Sequence, residues 1–308
     1  MSITSPARRR AVSWVAGALA AALLAVSGCS SGDSGGGAAD LETIEPGVLK
    51  VAIQPYAPYT SSKAGKLSGL DSDILNAVAK KLDLKVQPEV TDFAGMLAGV
   101  QSRRVDITIG GVAWTKERQK QGLFTDPPYY SPPAMAVASG KKYSTVRDLE
   151  GQRLGTVEGY VWVKSIKAVP GAKLSAYPDG NGVFDDLRAG RLDVGFLDPL
   201  IIIAAQKQRP ELKVETQYLT PPTAEEVLAK PDYDYFRPYM TSFYVPRQAK
   251  NLEKSISAEI RKMYDSGELT KLIEKWGGDP EQFLKPTPEI AKARQGVDRP
   301  ADWTPPSI

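Results

Sequence analysis

The most informative stretch of this sequence lies at residues 110–130 and reads GGVAWTKERQKQGLFTDPPYY. The preceding residues 105–109 alternate apolar and polar side chains, as a β-strand does. Gly110 and Gly111 then allow a sharp backbone turn, and Thr115 can cap a short helical turn that carries Arg118. This order predicts backbone N–H groups beside a guanidinium, an arrangement that suits a carboxylate because both kinds of donor bind its oxygens.

The same stretch resembles a known family, the amino-acid-binding proteins of ABC importers (extracellular solute-binding protein family 3). That family has a strand and a small-residue turn, then Thr-x-Glu-Arg, then Phe-Ser/Thr-Asp-Pro-Tyr-Tyr. The matching residues, with one extra proline, are Thr115, Glu117, Arg118, Phe124, Thr125, Asp126, Tyr129 and Tyr130. The resemblance extends from about Gly47 to Trp276. It implies an α/β, two-lobed periplasmic-binding-protein type II (Venus-flytrap) fold with two crossing hinge strands. It also implies a monomer that captures an amino acid or similar small carboxylate and delivers it to a membrane permease.

The composition excludes several classes of mechanism. The 308 residues include no histidine and one cysteine, which rules out Ser-His-Asp or Cys-His catalysis, a disulfide framework and a histidine- or cysteine-rich zinc site. Without Arg8, Arg9 and Arg10 the 39 basic residues fall to 36, equal to the 36 acidic residues. The basic surplus typical of nucleic-acid binding is therefore missing, and we expect no cofactor, no metal and no nucleic-acid partner.

The N-terminus has the features of a bacterial lipoprotein leader. Three arginines precede an apolar run from Ala11 to Val26, so residues 1–28 are predicted to be a signal peptide and not a membrane span. The run ends in Val26-Ser27-Gly28-Cys29, which resembles a lipobox with Cys29 as the lipidated residue; the alternative is an unlipidated leader with an incidental cysteine. Residues 29–45 would be a flexible tether, so we expect an extracytoplasmic, lipid-anchored protein, periplasmic or at the cell surface.

Strands and helices alternate along the chain, which indicates α/β layers. The predicted strands are 48–53, 84–90, 105–109, 153–157, 173–177, 192–197 and 212–216, and the predicted helices are 71–82, 93–101, from about 161, 183–189, from 199, 252–264 and 269–276. By the resemblance, residues 46–137 and 241–285 form lobe 1 and residues 138–240 form lobe 2, with crossings near 134–139 and 241–245.

Two further segments lie outside the predicted strands and helices. The stretch from Thr220 to Tyr239 is longer than the family usually has, and its aromatic residues either cover one edge of the cleft or belong to an ordered surface insertion. Residues 286–308 are rich in proline and are predicted to be a loosely ordered tail.

An internal similarity places candidate ligand contacts in both lobes. In each lobe, a helix with a phenylalanine near its start is followed by a strand whose first residues are apolar, Asp, apolar. The two aspartates are Asp106 and Asp193. Five residues after these aspartates come Gly111 and Asp198. Open α/β sheets bind ligands at the carboxyl ends of their strands, so we expect both residues to face one cleft.

The resemblance assigns ligand contacts residue by residue. The predicted ligand-binding residues are Tyr56, Phe93, Gly111, Ala113, Arg118, Tyr160 and Asp198. Arg118 would bind the ligand carboxylate together with backbone groups of Gly111 and Ala113, whereas Asp198 would receive the ammonium. The aromatic residues would enclose the ligand side chain. The structural alternatives are a solvated surface arginine, an aspartate that only caps a helix, and aromatic residues of the core.

This sequence also departs from the family pattern around the cleft. Ala113 stands where the family commonly has Thr or Ser, Tyr160 replaces a small hydroxyl residue, and Gln54 lies near a position that is often acidic. These changes predict a less polar or reshaped side-chain pocket.

Two other functions stay open at this point. One is an enzyme on the same scaffold, of the dehydratase type, whose chemistry would depend on carboxylates such as Glu158 or Asp198. The other is a receptor that presents its ligand to a sensor instead of a permease.

Overall fold

The structure, a computed structural model, describes residues 41–308. The predicted signal peptide, Cys29 and most of the tether lie outside these residues. The strands, in chain order, are β1 (Val48–Ile53), β2 (Ser61–Lys63), β3 (Lys66–Ser68), β4 (Lys85–Val90), β5 (Ile107–Thr108), β6 (Gly122–Phe124), β7 (Tyr129–Ser131), β8 (Ala134–Ala138), β9 (Arg153–Val157), β10 (Lys173–Tyr177), β11 (Val194–Phe196), β12 (Val214–Tyr218), β13 (Tyr239–Thr241) and β14 (Tyr244–Pro246).

The helices connect these strands and cover the sheets. They are α1 (Leu70–Lys81), α2 (Phe93–Gln101), α3 (Lys116–Gln119), α4 (Trp162–Ala168), α5 (Gly180–Arg188), α6 (Pro199–Gln208), α7 (Ala224–Ala229), α8 (Lys250–Asp265), α9 (Glu268–Lys275), α10 (Pro280–Phe283) and α11 (Pro288–Ala293), with 3-10 turns at Val146–Leu149, Pro210–Leu212 and Pro231–Phe236. Within residues 41–308 no helix is both long and apolar enough to cross a bilayer.

The first sheet belongs to lobe 1 and has the strand order β4-β1-β5-β14-β6. β1 runs parallel to β4 and β5, whereas β14 returns from far along the chain and is antiparallel to β5 and β6. The predicted helix over 71–82 is present as α1, with Ile74 and Val78 buried on one face. It begins at Leu70, after Gly69, and no side chain caps it. Asp71 lies in its first turn and is buried.

The second sheet belongs to lobe 2 and has the order β10-β9-β11-β8-β12. β9 is parallel to β10 and β11, and β8 is antiparallel to β11 and β12. The strands predicted at 153–157 and 173–177 form with those bounds, as does the helix predicted at 93–101 in lobe 1. The mixed two-sheet architecture confirms the predicted α/β, two-lobed fold.

Two paired strands carry the chain between the sheets. β7 leads from the first sheet to the second, β13 leads back, and the two pair antiparallel, Tyr130 opposite Met240. The sequence placed the first crossing near residues 134–139, but residues 134–138 form β8 of the second sheet. The crossing therefore lies a few residues earlier, in β7. Two adjacent crossing strands provide the geometry of a hinge.

The segment from Thr220 to Tyr239 forms α7 and a 3-10 turn; the turn packs against α4, and α7 packs against the turn. Ser165 Oγ donates to the Asp232 carbonyl at 2.6 Å and Trp162 Nε1 donates to the Tyr235 carbonyl at 3.1 Å. The segment is thus an ordered insertion on lobe 2, and its last residue, Tyr239, reaches the cleft between the lobes.

The C-terminal residues 286–308 differ from the expected loosely ordered tail. Arg294 is fully buried, Trp303 is 8% exposed, and Tyr130 Oη donates to the Pro306 carbonyl at 2.6 Å. The proline content suggested weak local structure, but the arginine and tryptophan side chains find buried partners on lobe 1. Tertiary contacts therefore order a segment that has little regular secondary structure of its own.

Candidate functional site

The turn after β5 is built around a buried carboxylate. Gly110 and Gly111 have φ values of 108° and 71°, which favour glycine, and they turn the chain sharply. Their N–H groups donate to Asp71 Oδ2 at 2.7 and 3.0 Å, while Tyr129 Oη donates to Asp71 Oδ1 at 2.7 Å. Burial raises the pKa of Asp71 to about 6, although these three hydrogen bonds act in the opposite direction. The Gly111 N–H, expected to bind a ligand carboxylate, is therefore already used by Asp71.

Ala113 offers its backbone to the cleft. The Trp114 N–H donates to the Met240 carbonyl and the Ser242 N–H to the Val112 carbonyl, both at 3.0 Å. These bonds flank Ala113, which lies opposite Thr241 as a pair not bonded to each other. In such a pair the N–H and C=O point away from the neighbouring strand. The Ala113 carbonyl accepts from Arg118, and the Ala113 N–H is left to face the cleft that the residue lines.

Arg118 reaches from lobe 1 to lobe 2. As predicted, Thr115 caps the turn that carries it, with Oγ1 accepting from the Arg118 N–H at 3.0 Å. The guanidinium donates through Nη1 to the Ala113 carbonyl at 2.8 Å and through Nη2 to the Gly159 carbonyl of lobe 2 at 2.9 Å. It lies 5.1 Å from the centre of the Phe93 ring. Burial lowers the pKa of Arg118, but a guanidinium stays charged at any physiological pH.

Asp198 occupies the matching position in lobe 2, between β11 and α6. It precedes Pro199 at the start of α6, yet its side chain makes no capping hydrogen bond. Instead Tyr56 Oη of lobe 1 donates to Oδ2 at 2.8 Å and Tyr239 Oη of the second crossing strand donates to Oδ1. Burial raises the pKa of Asp198 to about 6, while the two tyrosine hydrogen bonds lower it. Its carboxylate therefore faces the cleft and does not act as a simple helix cap.

Aromatic residues form the remaining wall of the cleft. Tyr160 Oη accepts a hydrogen bond from Gln54 Nε2 of the opposite lobe at 2.9 Å. The Tyr160 ring stands edge-on to Phe93, with centroids 4.9 Å apart, and edge-on to Tyr56 at 6.0 Å. Trp162 follows at 6.0 Å from Tyr160. Edge-to-face pairs of this kind pack apolar surface tightly and exclude water.

The structure brings the predicted site residues together at the lobe interface. One cavity between the lobes is lined by Phe93, Gly111, Ala113, Arg118, Tyr160, Val161, Trp162, Asp198 and Tyr239. Tyr56, the remaining predicted residue, reaches this group through its bond to Asp198. The cavity has a volume of about 10 Å³, which is close to that of one water molecule. A ligand as large as an amino acid can enter only when the lobes separate.

The sequence did not identify Trp162 and Tyr239 as cleft residues. Gln54 was mentioned only because it lies near a position that is often acidic in the family. Trp162 lies two residues after Tyr160, at the start of α4, so its position in the turn was a usable signal. Tyr239 was identified only as an aromatic residue of the insertion. Its contact with Asp198 depends on the path of the hinge strand, which no local pattern reveals.

Comparison with known proteins identifies similar chains. The model of the bacterial extracellular solute-binding proteins, family 3, matches residues 49–279, so residues 280–308 lie beyond the matched range. The chain is 31% identical over 202 residues to ABC transporter arginine-binding protein 1 of Escherichia coli (strain K12), covering 64% of this chain and 81% of that protein. It is 28% identical over 240 residues to the L-cystine-binding protein TcyJ of the same strain, covering 76% and 84%. An ancestral arginine-binding protein bound to glutamine superposes with a TM-score of 0.64 at 28% identity, covering 76% of this chain and 99% of that one.

Proposed function

The chain belongs to the bacterial extracellular solute-binding proteins of family 3, and we propose that it captures an amino acid, or a related small carboxylate, and delivers it to the permease of an ABC importer. The two relatives described above are named as amino-acid-binding proteins, one of them of an ABC transporter. The observation that carries the proposal is that Arg118 of lobe 1 and Asp198 of lobe 2 line the same cavity. A zwitterion between them would meet an opposite charge on each lobe and would favour lobe closure.

The carboxylate of the ligand is assigned to Arg118 and Ala113. Arg118 Nη2 now donates to the neutral Gly159 carbonyl, and a carboxylate in that place would accept a stronger, charge-assisted bond. The Ala113 N–H would supply a second donor. Gly111 has a different role from the one expected: a Cβ at this position would lie 2.9 Å from Asp198 Oδ2. We assign Gly111 as the residue that lets Asp198 approach when the lobes close.

The ammonium is assigned to Asp198. An ionised carboxylate has about four lone-pair sites, and the hydroxyls of Tyr56 and Tyr239 use two of them. The remaining sites can accept from an ammonium, while the two tyrosines fix the orientation of the carboxylate. This arrangement suits a charged amine better than a neutral donor because a buried anion is costly without a positive partner.

The lining of the cleft also indicates the class of the ligand side chain. The ionisable groups that balance a zwitterion are Arg118 and Asp198, and the other lining side chains are aromatic or aliphatic. Gln54, which bonds to Tyr160, is polar but neutral. A charged ligand side chain would therefore be buried without an opposite charge, which is strongly unfavourable. We propose an amino acid with an uncharged side chain as the preferred ligand.

A bound ligand must replace the hydrogen bonds that join the two lobes directly to each other. Separation of the lobes breaks the bonds of Tyr56 to Asp198, Gln54 to Tyr160 and Arg118 to Gly159. A micromolar ligand needs about 8 kcal/mol of binding free energy, and each charge-assisted hydrogen bond contributes about 1.5–3 kcal/mol. Two ionic contacts and the burial of the ligand by Phe93 and Tyr160 can supply this only if the lobes close around the ligand.

The organisation of the whole chain is part of the proposal. Residues 1–28 would be removed as a signal peptide, Cys29 would carry lipid, and residues 29–45 would tether a monomer outside the cytoplasmic membrane. Lobe 1 would comprise residues up to β7 together with residues 241–285, and lobe 2 the part between β7 and β13. A processed, lipidated N-terminus is directly measurable by mass spectrometry of the protein purified from membranes.

A thermal-shift screen against the twenty L-amino acids tests the binding proposal. A ligand at 100 times its dissociation constant adds about 2.7 kcal/mol of stability, and we expect the largest shift from an amino acid with an uncharged side chain. Mass spectrometry of the bound compound should recover it unchanged, since we propose binding without conversion. A changed compound would instead support the enzyme alternative, and the absence of any shift would contradict the proposed ligand class.

A further inference from the structure

The segment beyond residue 279 holds a buried ionic cluster against lobe 1. Arg294 has no exposed surface, and its guanidinium donates to the backbone carbonyls of Thr125 at 2.7 Å and Phe124 at 2.8 Å. The same guanidinium pairs with Asp298 through two nitrogens, at 3.0 and 2.7 Å. These hydrogen bonds are all made within the protein, and they attach the C-terminal segment to the end of β6.

The cluster also holds one residue of the ligand-binding loop, residues 110–118. Trp114 Nε1 donates to Asp298 Oδ2 at 3.1 Å. The Arg294 guanidinium lies 6.0 Å from the centre of the Trp114 ring and 5.5 Å from that of Trp303. Trp114 is thus bonded at its indole nitrogen and lies against a cation on its face. Because Trp114 lies between Ala113 and Thr115, a side chain held in this way restrains the backbone at that position.

Those two neighbours set the geometry of Arg118. Ala113 accepts from the Arg118 guanidinium, and Thr115 caps the turn that carries Arg118. Ala113 and Thr115 are the chain neighbours of Trp114, so a shift of the Trp114 backbone would displace the Ala113 carbonyl and the Thr115 cap together. The C-terminal cluster is therefore connected to the predicted carboxylate site through one side chain and two short backbone steps.

We propose that Arg294 and Asp298 are positioning residues for the ligand-binding loop, holding Trp114 so that Ala113 and Arg118 present their donors in the geometry for carboxylate binding. This proposal depends on the proposed function only for the statement that the geometry serves carboxylate binding. The positioning itself is a property of the folded chain and is measurable without a ligand.

A second arginine of the same segment provides a matched control. Arg299 donates to Asp126 Oδ1 at 3.0 Å, to Glu253 Oε1 at 2.7 Å and to the Phe124 carbonyl at 2.8 Å. It also donates through Nη1 to the Asp298 backbone carbonyl at 3.3 Å. Arg299 thus anchors the same segment to lobe 1, but none of these hydrogen bonds involves the Asp298 carboxylate or the ligand-binding loop. Arg294→Lys and Arg299→Lys make the same chemical change, since lysine keeps the charge and loses the planar fork.

The decisive measurement is amide hydrogen exchange of the full protein and its variants, with residues 113–118 compared with β9 of lobe 2. We expect Arg294→Lys to accelerate exchange at 113–118 by at least about tenfold relative to Arg299→Lys, because local opening becomes easier there. Exchange in β9 should stay unchanged. Trp114→Phe keeps an aromatic ring but replaces the indole by a smaller ring without the N–H donor. It should accelerate exchange at the same residues and decides the question if Arg294→Lys does not fold.

Equal exchange at 113–118 in Arg294→Lys and Arg299→Lys would overturn the proposal, as would an acceleration that spreads uniformly over both lobes. A second readout uses the pooled twenty L-amino acids as the probe: their stabilising shift should be smaller in Arg294→Lys than in Arg299→Lys. If the pool fails to stabilise even the unmodified protein, the proposed function fails, whereas the exchange comparison still decides the positioning role.

Discussion

The buried carboxylate of Asp198 predicts a defined pH dependence of amino-acid binding. Burial raises its pKa to about 6 with the lobes in contact. A ligand ammonium pairs with the ionised carboxylate only, so protons and ligand compete for the same group. With a pKa near 6, about one carboxylate in eleven is ionised at pH 5 and about one in a hundred at pH 4. The dissociation constant should therefore rise about tenfold and about hundredfold relative to its value at pH 7.5.

Calorimetric titration between pH 4 and pH 8 measures this effect, and buffers of different ionisation enthalpy report the proton released on binding. Burial also raises the pKa of Asp71 to about 6, but its partners Gly110, Gly111 and Tyr129 all belong to lobe 1 or its hinge strand. The charge of Asp71 contributes to the raised pKa of Asp198, but Asp71 is not assigned to the ligand and does not compete for it. Asp198→Asn should bind weakly and without this pH dependence; a dissociation constant that stays level from pH 7.5 to pH 4.5 in the unmodified protein would refute the reasoning.

Three further substitutions test individual contacts. Arg118→Ala removes the charge-assisted donor assigned to the carboxylate, about 1.5–3 kcal/mol, so titration should show binding about tenfold to a hundredfold weaker with the fold retained by circular dichroism; an unchanged dissociation constant would contradict the assignment. Gly111→Ala should prevent closure of the two lobes, because the added Cβ would meet Asp198. In this variant the ligand should no longer reduce the radius of gyration. Gly190→Ala, with similar φ and nothing within 4 Å, is its control. Tyr239→Phe removes a hydrogen bond that lowers the pKa of Asp198, so the pH midpoint of binding should move upward, and Tyr235→Phe should leave it in place.

Local patterns predicted the regular elements well. The helix at 93–101 follows from its apolar spacing and from Asp92, whose side chain accepts from the Gly95 N–H and caps it. The Thr115 cap was readable for the same reason, since it needs only residues a few positions apart. Such signals are short-range, and the fold that they specify is correspondingly well determined by sequence.

The contacts that were not predicted join residues that are distant in sequence. The Gly111 N–H, expected to face a ligand carboxylate, donates to Asp71, 40 residues earlier. The contact of Tyr239 with Asp198 spans 41 residues, and that of Arg294 with Thr125 spans 169. Neither a propensity nor a periodicity contains this information. The family pattern, which ends before the C-terminal cluster, could not supply it either.

The central claim is that one ligand joins Arg118 and Asp198 across the cleft. The most direct test is a calorimetric comparison of the best-binding amino acid with two analogues, the amine that lacks its carboxylate and the acid that lacks its ammonium. Each analogue loses one ionic contact, and we expect each to bind at least about tenfold more weakly than the amino acid. An analogue that binds as tightly as the amino acid would show that the corresponding charged residue does not hold the ligand, and would contradict the claim.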